Sequence, residues 1–523
     1  MKNRIFSPLL FSAIGACIGF YILSNTHIAV IITIILLSLL AISFLRVVST
    51  VPFAYNKEKL TESVIKRTDS AERLMICDEK FSCFLKITYF CCVVFTVGLA
   101  LGLFAAEAGR NVIKLGLAEE KITGIEGALL EDPRILPNGT AMASVSLRKT
   151  AGKNVRVSGS GEITFFFSKE SEDALFAQKL RECGRGSLIF AEGKIRSNER
   201  GITFSASSLH IVKPAPAIER MRTNVRLNLM KRFDGNSGDI FHGKPWGGLA
   251  LALLIGIKDN LDADLTSLYR DAGLSYILAL SGMHLAVITA LIAFLLKKPL
   301  GLKAASITGA VIICLYCLLV GPMPSLIRSA IMYLLGVLTI LAALPKKSMS
   351  VLCLSFLIQI IITPAAGNSL SFILSYAAML GILITSRHVS SLLNGLIPDF
   401  ILQPLSLSIG AFLATAGICG FSFAHIAPIG IIAGLAIVPL TTVFMIGSMI
   451  WLLLDIFSVS FILNLPLTLL YRLMEIISSL AGKVPGIRVN AVLILVVSVL
   501  MLVMIAVLDY RRQSGLLKLK PLL

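Results

Sequence analysis

The chain is short of charge. Asp, Glu, Lys and Arg make up 15% of its 523 residues, against about 25% in soluble domains. That deficit excludes an ordinary soluble fold, and a hydrophobic content of 56% points to an integral membrane protein. Negative charge is the scarcer sign: 30 Asp and Glu face 48 Lys and Arg, a net charge of +18. Basic cytoplasmic loops would account for this excess, and so would a polyanion partner such as nucleic acid. Cysteine is nearly missing from the one large polar stretch, 107–245, where Cys183 stands alone, so that stretch has no internal disulfide. Cys314 and Cys317 form a CxxC inside an apolar run and are read as small packing residues. None of the 6 histidines falls in an HxHxDH ligand cluster; no metal, cofactor or catalytic role is expected. A nucleotide-driven motor is lacking too. Gly238-x-x-x-x-Gly243-Lys244 runs into Pro245, where a P-loop needs Ser or Thr for Mg²⁺.

What is present is a series of apolar runs. Lys2 and Arg4 precede runs at 7–22 and 28–45 with no small-residue cleavage pattern between them, so both are read as membrane helices, not as a removable signal. A polar segment, 46–86, leads to a third helix at 87–106. Gly15-x-x-x-Gly19 and Gly98-x-x-x-Gly102 offer faces for close helix packing. The stretch 107–219 reads as soluble and β-rich. Segments 141–147, 154–167, 187–195 and 201–212 alternate in polarity or are rich in β-formers, with turn signals at Pro137-Asn138-Gly139 and Asn198-Glu199-Arg200-Gly201. About five short strands imply a small antiparallel barrel or sandwich. Its Phe165, Phe166, Phe167, Phe190 and Phe204 fit either a barrel core or base stacking beside a basic groove.

Residues 220–273 read as amphipathic and interfacial. Over 220–233, Met221, Val225 and Leu229 recur at helical spacing among Arg222, Arg226, Lys231 and Arg232: an interfacial helix, or a basic rim that guides a polyanion. Residues 246–257 are too few for a span, and 258–273 place Leu261, Leu265, Leu268 and Tyr269 on one side. Lys258 and Asp259 are read as interface anchors. Spans are then expected at 274–296, 304–320, 326–344, 350–362, 370–385, 400–420, 459–477 and 491–508. A Pro-broken stretch at 426–454 is either one span plus a re-entrant piece or two short spans. Gln359 and Gln403 suit bonds between helices, and Asp455, Arg472 and Glu475 suit ion pairs. A basic tail, 509–523, closes the chain. Basic loops place both termini and segment 46–86 inside and 107–245 outside; Lys483 and Arg488 dissent.

The run 274–296 is long enough to cross about 30 Å of hydrocarbon, with Ser281, Gly282 and His284 at its centre. Polar groups at that depth face a bundle interior or a watery path. His284 is read as lining such a path or as a packed core histidine. Arg328, just inside a span, either snorkels or contacts a passing anion.

The stretch ALLIGIKDNLDADLTSLYRDAGLSYILALSGMHLAVI, 252–288, resembles the signature of the ComEC competence family, whose pattern has Gly256, Gly273, Leu274, Ser281, Gly282 and His284 at matching places. Three further stretches are similar to family motifs: Pro324-Ser325-Leu326-Ile327-Arg328-Ser329, Ser371-Phe372-Ile373-Leu374-Ser375-Tyr376, and His425-Ile426-Ala427-Pro428 through Val438-Pro439-Leu440. Residues 192–212 resemble the end of the family's inserted OB-like domain. Ile373 departs from a common Gln, and Gly434 from a common Asn. Many members continue into a metallo-β-lactamase-like nuclease domain; this chain ends at Leu523 without room for it, and no nuclease role is expected of it.

The resemblance implies a polytopic α-helical membrane protein with a small extracytoplasmic OB-like inserted domain. It further implies a channel domain over 274–508 in the bacterial cytoplasmic membrane, importing single-stranded DNA in natural transformation. Path candidates are Gly273, Ser281, Gly282, His284, Arg328, Ser371 and Ser375; DNA-contact candidates are Arg222, Arg226, Lys231, Arg232 and Phe204. Implied partners are single-stranded DNA, membrane lipid, a cytoplasmic DNA motor or strand-binding protein, a separate nuclease and a DNA receptor. Two rivals stand beside it. A transporter of a smaller anion would show saturable flux with no DNA requirement, and a structural membrane protein would show no flux.

Overall fold

The computed structural model describes residues 12–18, 96–107, 113–167, 183–233 and 244–487, apart from 136–139, 153–154, 199–200, 259, 279–281, 322, 345–347, 424–425 and 485, with isolated positions between 496 and 504. The expected span 28–45, the segment 46–86, Ser281 and the tail 509–523 lie outside the described residues.

Among the described residues, seven strands build the inserted domain: β1 (Gly124–Leu129), β2 (Arg134–Ile135), β3 (Ala141–Ala151), β4 (Arg156–Ser158), β5 (Glu162–Phe167), β6 (Leu188–Asn198) and β7 (Gly201–Lys213). The five longer ones close on themselves in the order β1-β6-β7-β5-β3-β1, because β1 pairs with both β3 and β6. Alternation drives closure. Ile163, Phe165 and Phe167 of β5 point inward at 0–1% exposure and meet Val145, Ile125, Ile189 and Phe204 in one core. The result is a five-stranded barrel, in keeping with an OB-like domain. An all-antiparallel barrel was expected; the β5–β7 pair is parallel, which a local reading of strands cannot reveal. The expected turn near Asn198 is present as the β6–β7 hairpin.

The membrane region is helical: α1 (Thr96–Glu107), α2 (Ala217–Phe233), α3 (Gly247–Leu254), α4 (Ala263–Asp271), α5 (Gly282–Val320), α6 (Pro324–Leu341), α7 (Ser348–Ile362), α8 (Leu370–Leu393), α9 (Asp399–Phe423), α10 (Ile429–Ile456) and α11 (Asn464–Gly482). Among the described residues, 7 helical stretches are long and apolar enough to cross a membrane, two of them inside α5. Gly301, at φ 75, breaks α5 into Gly282–Pro299 and Gly301–Val320, and Ile292 lies against Gly309, so the two halves fold back on each other. The Gly98 and Gly102 face is used as expected: a Cβ at either would overlap the Ser12 or Ala16 carbonyl, an approach only glycine allows. The same logic joins α8 to α9, where Gly381 meets the Gly410 carbonyl.

Two expectations are corrected. The run 274–296 is not one continuous span. Residues 274–278 are non-helical, with Leu274, Ile277 and Leu278 buried and Ser275 and Tyr276 exposed, and the described helix begins at Gly282, so Gly282 and His284 occupy a helix start, not a span centre. Irregular backbone at membrane depth is tolerated where protein buries it, and Leu274 and Ile277 are both 0% exposed. The stretch 426–454 is one helix, α10, with Pro439 inside it; neighbouring helices re-satisfy the carbonyl a proline frees.

The short α3 is a buried peg: Leu249, Leu251 and Leu253 are at most 1% exposed. Beside it Trp246, Phe233, Trp451 and Phe444 form an aromatic cluster, with Trp246 and Trp451 5.4 Å apart edge to face. α4 packs Leu265 and Tyr269 inward as its pattern predicts. Asp262 caps it by accepting the Asp264 N–H at 3.0 Å. Asp262→Ala is expected to lower stability by about 1 kcal/mol, read as an earlier thermal unfolding midpoint of the purified protein; an unchanged midpoint would show that the cap contributes nothing here.

Candidate functional site

Consecutive spans alternate in direction, so Gly282, Val320 and Pro324 lie at one end of the bundle. There the start of α5 meets the first turns of α6. A Cβ on Gly282 would stand 2.9 Å from Ser329 Oγ and 3.4 Å from Arg328 Nη2. Glycine is what lets the two helix starts come together. Arg328 is 7% exposed. Its guanidinium lies over the Tyr376 ring, 5.7 Å from the centroid, and makes two long contacts, to Ser329 Oγ at 3.5 Å and Met332 sulfur at 3.8 Å. Its Nε has no partner, and no Asp or Glu pairs with it among the described residues.

Neighbouring helices hold this cation in place. Gln359 of α7 donates to the Pro324 carbonyl at 2.8 Å and accepts from the Tyr376 hydroxyl at 2.9 Å, the interhelical bonding read for it from sequence. Ser329 Oγ donates to the Ser325 carbonyl. Phe356, Phe372 and Tyr376 stack around the lower wall. Three of the four motifs thus converge on one buried polar cluster.

The other path candidates fall differently. His284 is fully buried, in the first turn of α5. Gly273 adopts φ +71 and ends α4, and a Cβ on it would meet the Ala427 carbonyl at 2.8 Å; it is a chain-reversal glycine packed on the start of α10. Ser371 is exposed and Ser375 half-buried; Phe372 and Tyr376 of the same motif face the cluster. Tyr376 and Ser329 were missed as site residues. The signal available was the four-residue spacing of Phe372 and Tyr376.

Among the DNA-contact candidates, Arg222 is buried and paired with Asp132 and with Glu219 at 2.9 Å. Arg226 donates to the Val320 carbonyl at 2.9 Å and lies 3.6 Å from Asp132. The two arginines join the barrel to the bundle; no free basic rim forms at these positions. Arg232 pairs with Asp455 at 2.7 Å, leaving Arg472 to Glu475 at 2.7 Å. Lys231 is exposed, and so is Gln403. The apolar stripe expected on this helix is split: Met221 is 68% exposed, while Leu229 packs on the bundle core.

Phe204 is 0% exposed, 4.9 Å from Phe165 in the barrel core, and cannot stack on a base. The outward aromatics are Phe190, with the Arg156 guanidinium 5.4 Å from its centroid, and Phe166. Phe166 pairs with Ser205, which pairs with Lys194; the next outward row runs Thr164, Thr203, Arg196. Both Lys194 and Arg196 are exposed. Strict alternation through Phe165, Phe166 and Phe167 was the signal for this.

Residues 253–513 match the family described as Competence protein. A protein of Aquifex aeolicus (strain VF5), described as uncharacterized, is 28% identical over 324 residues, 61% of this chain and 73% of that protein. ComE operon protein 3 of Bacillus subtilis (strain 168) is 30% identical over 170 residues, 31% of this chain and 22% of that protein. No solved structure matches.

Proposed function

Residues 253–513 belong to the competence protein family, and from this premise we propose that the protein is a channel importing single-stranded DNA across the bacterial cytoplasmic membrane in natural transformation. It is read as a non-enzymatic conduit, with the barrel on the outer side and the strand passing near the start of α5. The observation that carries the reading is the cluster of Gly282, Arg328 and Tyr376. It lies within the family segment, at a helix that starts beside a buried cation. Discontinuous helices of this kind place ligand sites in membrane transporters. The barrel adds a second fit, since five-stranded barrels of this class bind oligonucleotides.

A membrane potential opposes polyanion entry by about 2.3 kcal/mol per charge per 100 mV. The described residues offer no source for that work, so a cytoplasmic motor or strand-binding protein is the partner this reading requires. A DNA receptor and a separate nuclease are further partners for an outer barrel that meets duplex DNA. The test is gene deletion in a transformable host. Transformants from purified DNA, and labelled DNA in the nuclease-protected pool, should fall to background and return on complementation. Wild-type transformation in the deletion strain would overturn the reading. Saturable flux of a small anion in liposomes, with no DNA dependence, would replace it by the smaller-anion transporter.

A further inference from the structure

We propose that Arg328 and the start of α5 form a binding site for one phosphodiester group of the passing strand. The proposal rests on the DNA-import reading and names the chemistry of its central cluster. Arginine stays protonated in proteins, and this one is 7% exposed with an unpartnered Nε. Breaking a buried pair leaves an uncompensated charge that costs several kcal/mol; here no carboxylate partner exists among the described residues. The helices make the imbalance worse. Arg328 sits near the start of α6 (Pro324–Leu341), and its Nη2 reaches the start of α5 at Gly282. Helix starts carry partial positive charge, and cations are favoured at the opposite ends. Two positive helix ends and one guanidinium therefore converge with no paired Asp or Glu among the described residues.

Such a place is completed by a ligand anion. Gly282 brings the α5 backbone close to Nη2, and Tyr376, held by Gln359, lies with its ring centroid 5.7 Å from the guanidinium. A planar fork matches the two free oxygens of a phosphodiester. A phosphodiester carries a single charge, so one guanidinium neutralises it, and the strand can leave when the next phosphate arrives.

The test uses the purified full chain in uncharged detergent, with dimethyl phosphate as the smallest phosphodiester monoanion and neutral trimethyl phosphate as its control. The thermal unfolding midpoint of wild type should rise with dimethyl phosphate and not with trimethyl phosphate. Arg328→Gln should lose that response while melting no earlier than wild type without ligand, because it removes a frustrated charge. A structural arginine would melt earlier on replacement, and that outcome counts against the proposal. Gly282→Ala keeps the charge but displaces Ser329 Oγ and crowds Arg328 Nη2, and should weaken the response by about tenfold in apparent affinity; it serves as the readout where Arg328→Gln does not fold. The proposal is overturned by no wild-type response, by an equal response in Arg328→Gln, or by an equal response to chloride at matched ionic strength. A response that disappears on adding phosphatidylcholine would assign the site to lipid headgroups, not to DNA. If DNA uptake proves independent of the protein, the import reading fails, while the dimethyl phosphate titration still decides whether the site exists.

Discussion

Gly282→Leu is expected to stop delivery of DNA into the nuclease-protected pool while the protein still reaches the membrane. Even the first carbon of the new side chain would stand 2.9 Å from Ser329 Oγ and 3.4 Å from Arg328 Nη2, and a leucine adds three more carbons beyond it. Overpacking of this kind costs about 1–3 kcal/mol where neighbours can shift. Here the shift falls on the contact between α5 and α6, with Arg328 pressed toward Tyr376. Insertion depends on the apolar spans, which the change leaves intact. An uptake loss of about 100-fold or more is expected, the upper part of what that cost converts to. His284→Ala should weaken uptake less, by under about tenfold, because the fully buried imidazole acts by packing and polarity and no proton transfer is needed for passage. Labelled uptake, normalised to membrane protein level, decides both. Normal uptake by Gly282→Leu at normal abundance would move the path away from the start of α5.

The spans were legible because hydropathy is a sum over one segment, and the barrel because β3, β5, β6 and β7 alternate along their length. β1 was not. Its sequence GIEGAL shows no clean alternation, and Gly127 sits at a bulge where a Cβ would press on Val145 and the Ser146 carbonyl. The late start of α5 was hidden for the opposite reason: 274–278 reads as one apolar run with the helix that follows, and hydropathy does not distinguish irregular backbone from helix. Motif residues marked the right region, at Gly282 and Arg328, yet not the right face of α8. Ser371 and Ser375 share a motif with Phe372 and Tyr376, and only the contact with α7 settles which pair turns inward. Of the two partners of Arg222, Glu219 lies three residues back and was within local reach, whereas Asp132 lies 90 residues earlier. A buried ion pair across such a separation leaves no local trace, so a basic helix reads the same whether it faces solvent or a distant carboxylate.

Phe166→Ala, and separately the pair Lys194→Gln with Arg196→Gln, should uncouple DNA binding by the barrel from its stability. Phe166 is the outward ring of β5, in line with Ser205 and Lys194 across β7 and β6. Base stacking on such a ring is worth about 1–3 kcal/mol, so Phe166→Ala should weaken single-strand affinity by about 5- to 150-fold. The two basic changes remove two phosphate neutralisations, each contributing about 0.7 to the dependence of log K on log salt. The magnitude of that slope should therefore fall by about 1.4. Neither change should move the unfolding midpoint by more than about 0.5 kcal/mol equivalent, since Lys194 and Arg196 are exposed and Phe166 lies on the outer face, outside the barrel core. Phe204→Ala is the contrasting control. It empties the centre of the core beside Phe165 and should cost about 3–5 kcal/mol, unfolding the barrel and abolishing binding only through that loss. The measurement is fluorescence anisotropy of a labelled single strand with residues 107–219 across a salt series, alongside thermal melts of each variant. If Phe166→Ala binds like wild type, or if the salt slope is unchanged without Lys194 and Arg196, the barrel meets DNA by another face or does not meet it. The separate core of this domain is what makes the comparison clean, since core and surface residues of β5 alternate and a single step along the strand exchanges one role for the other.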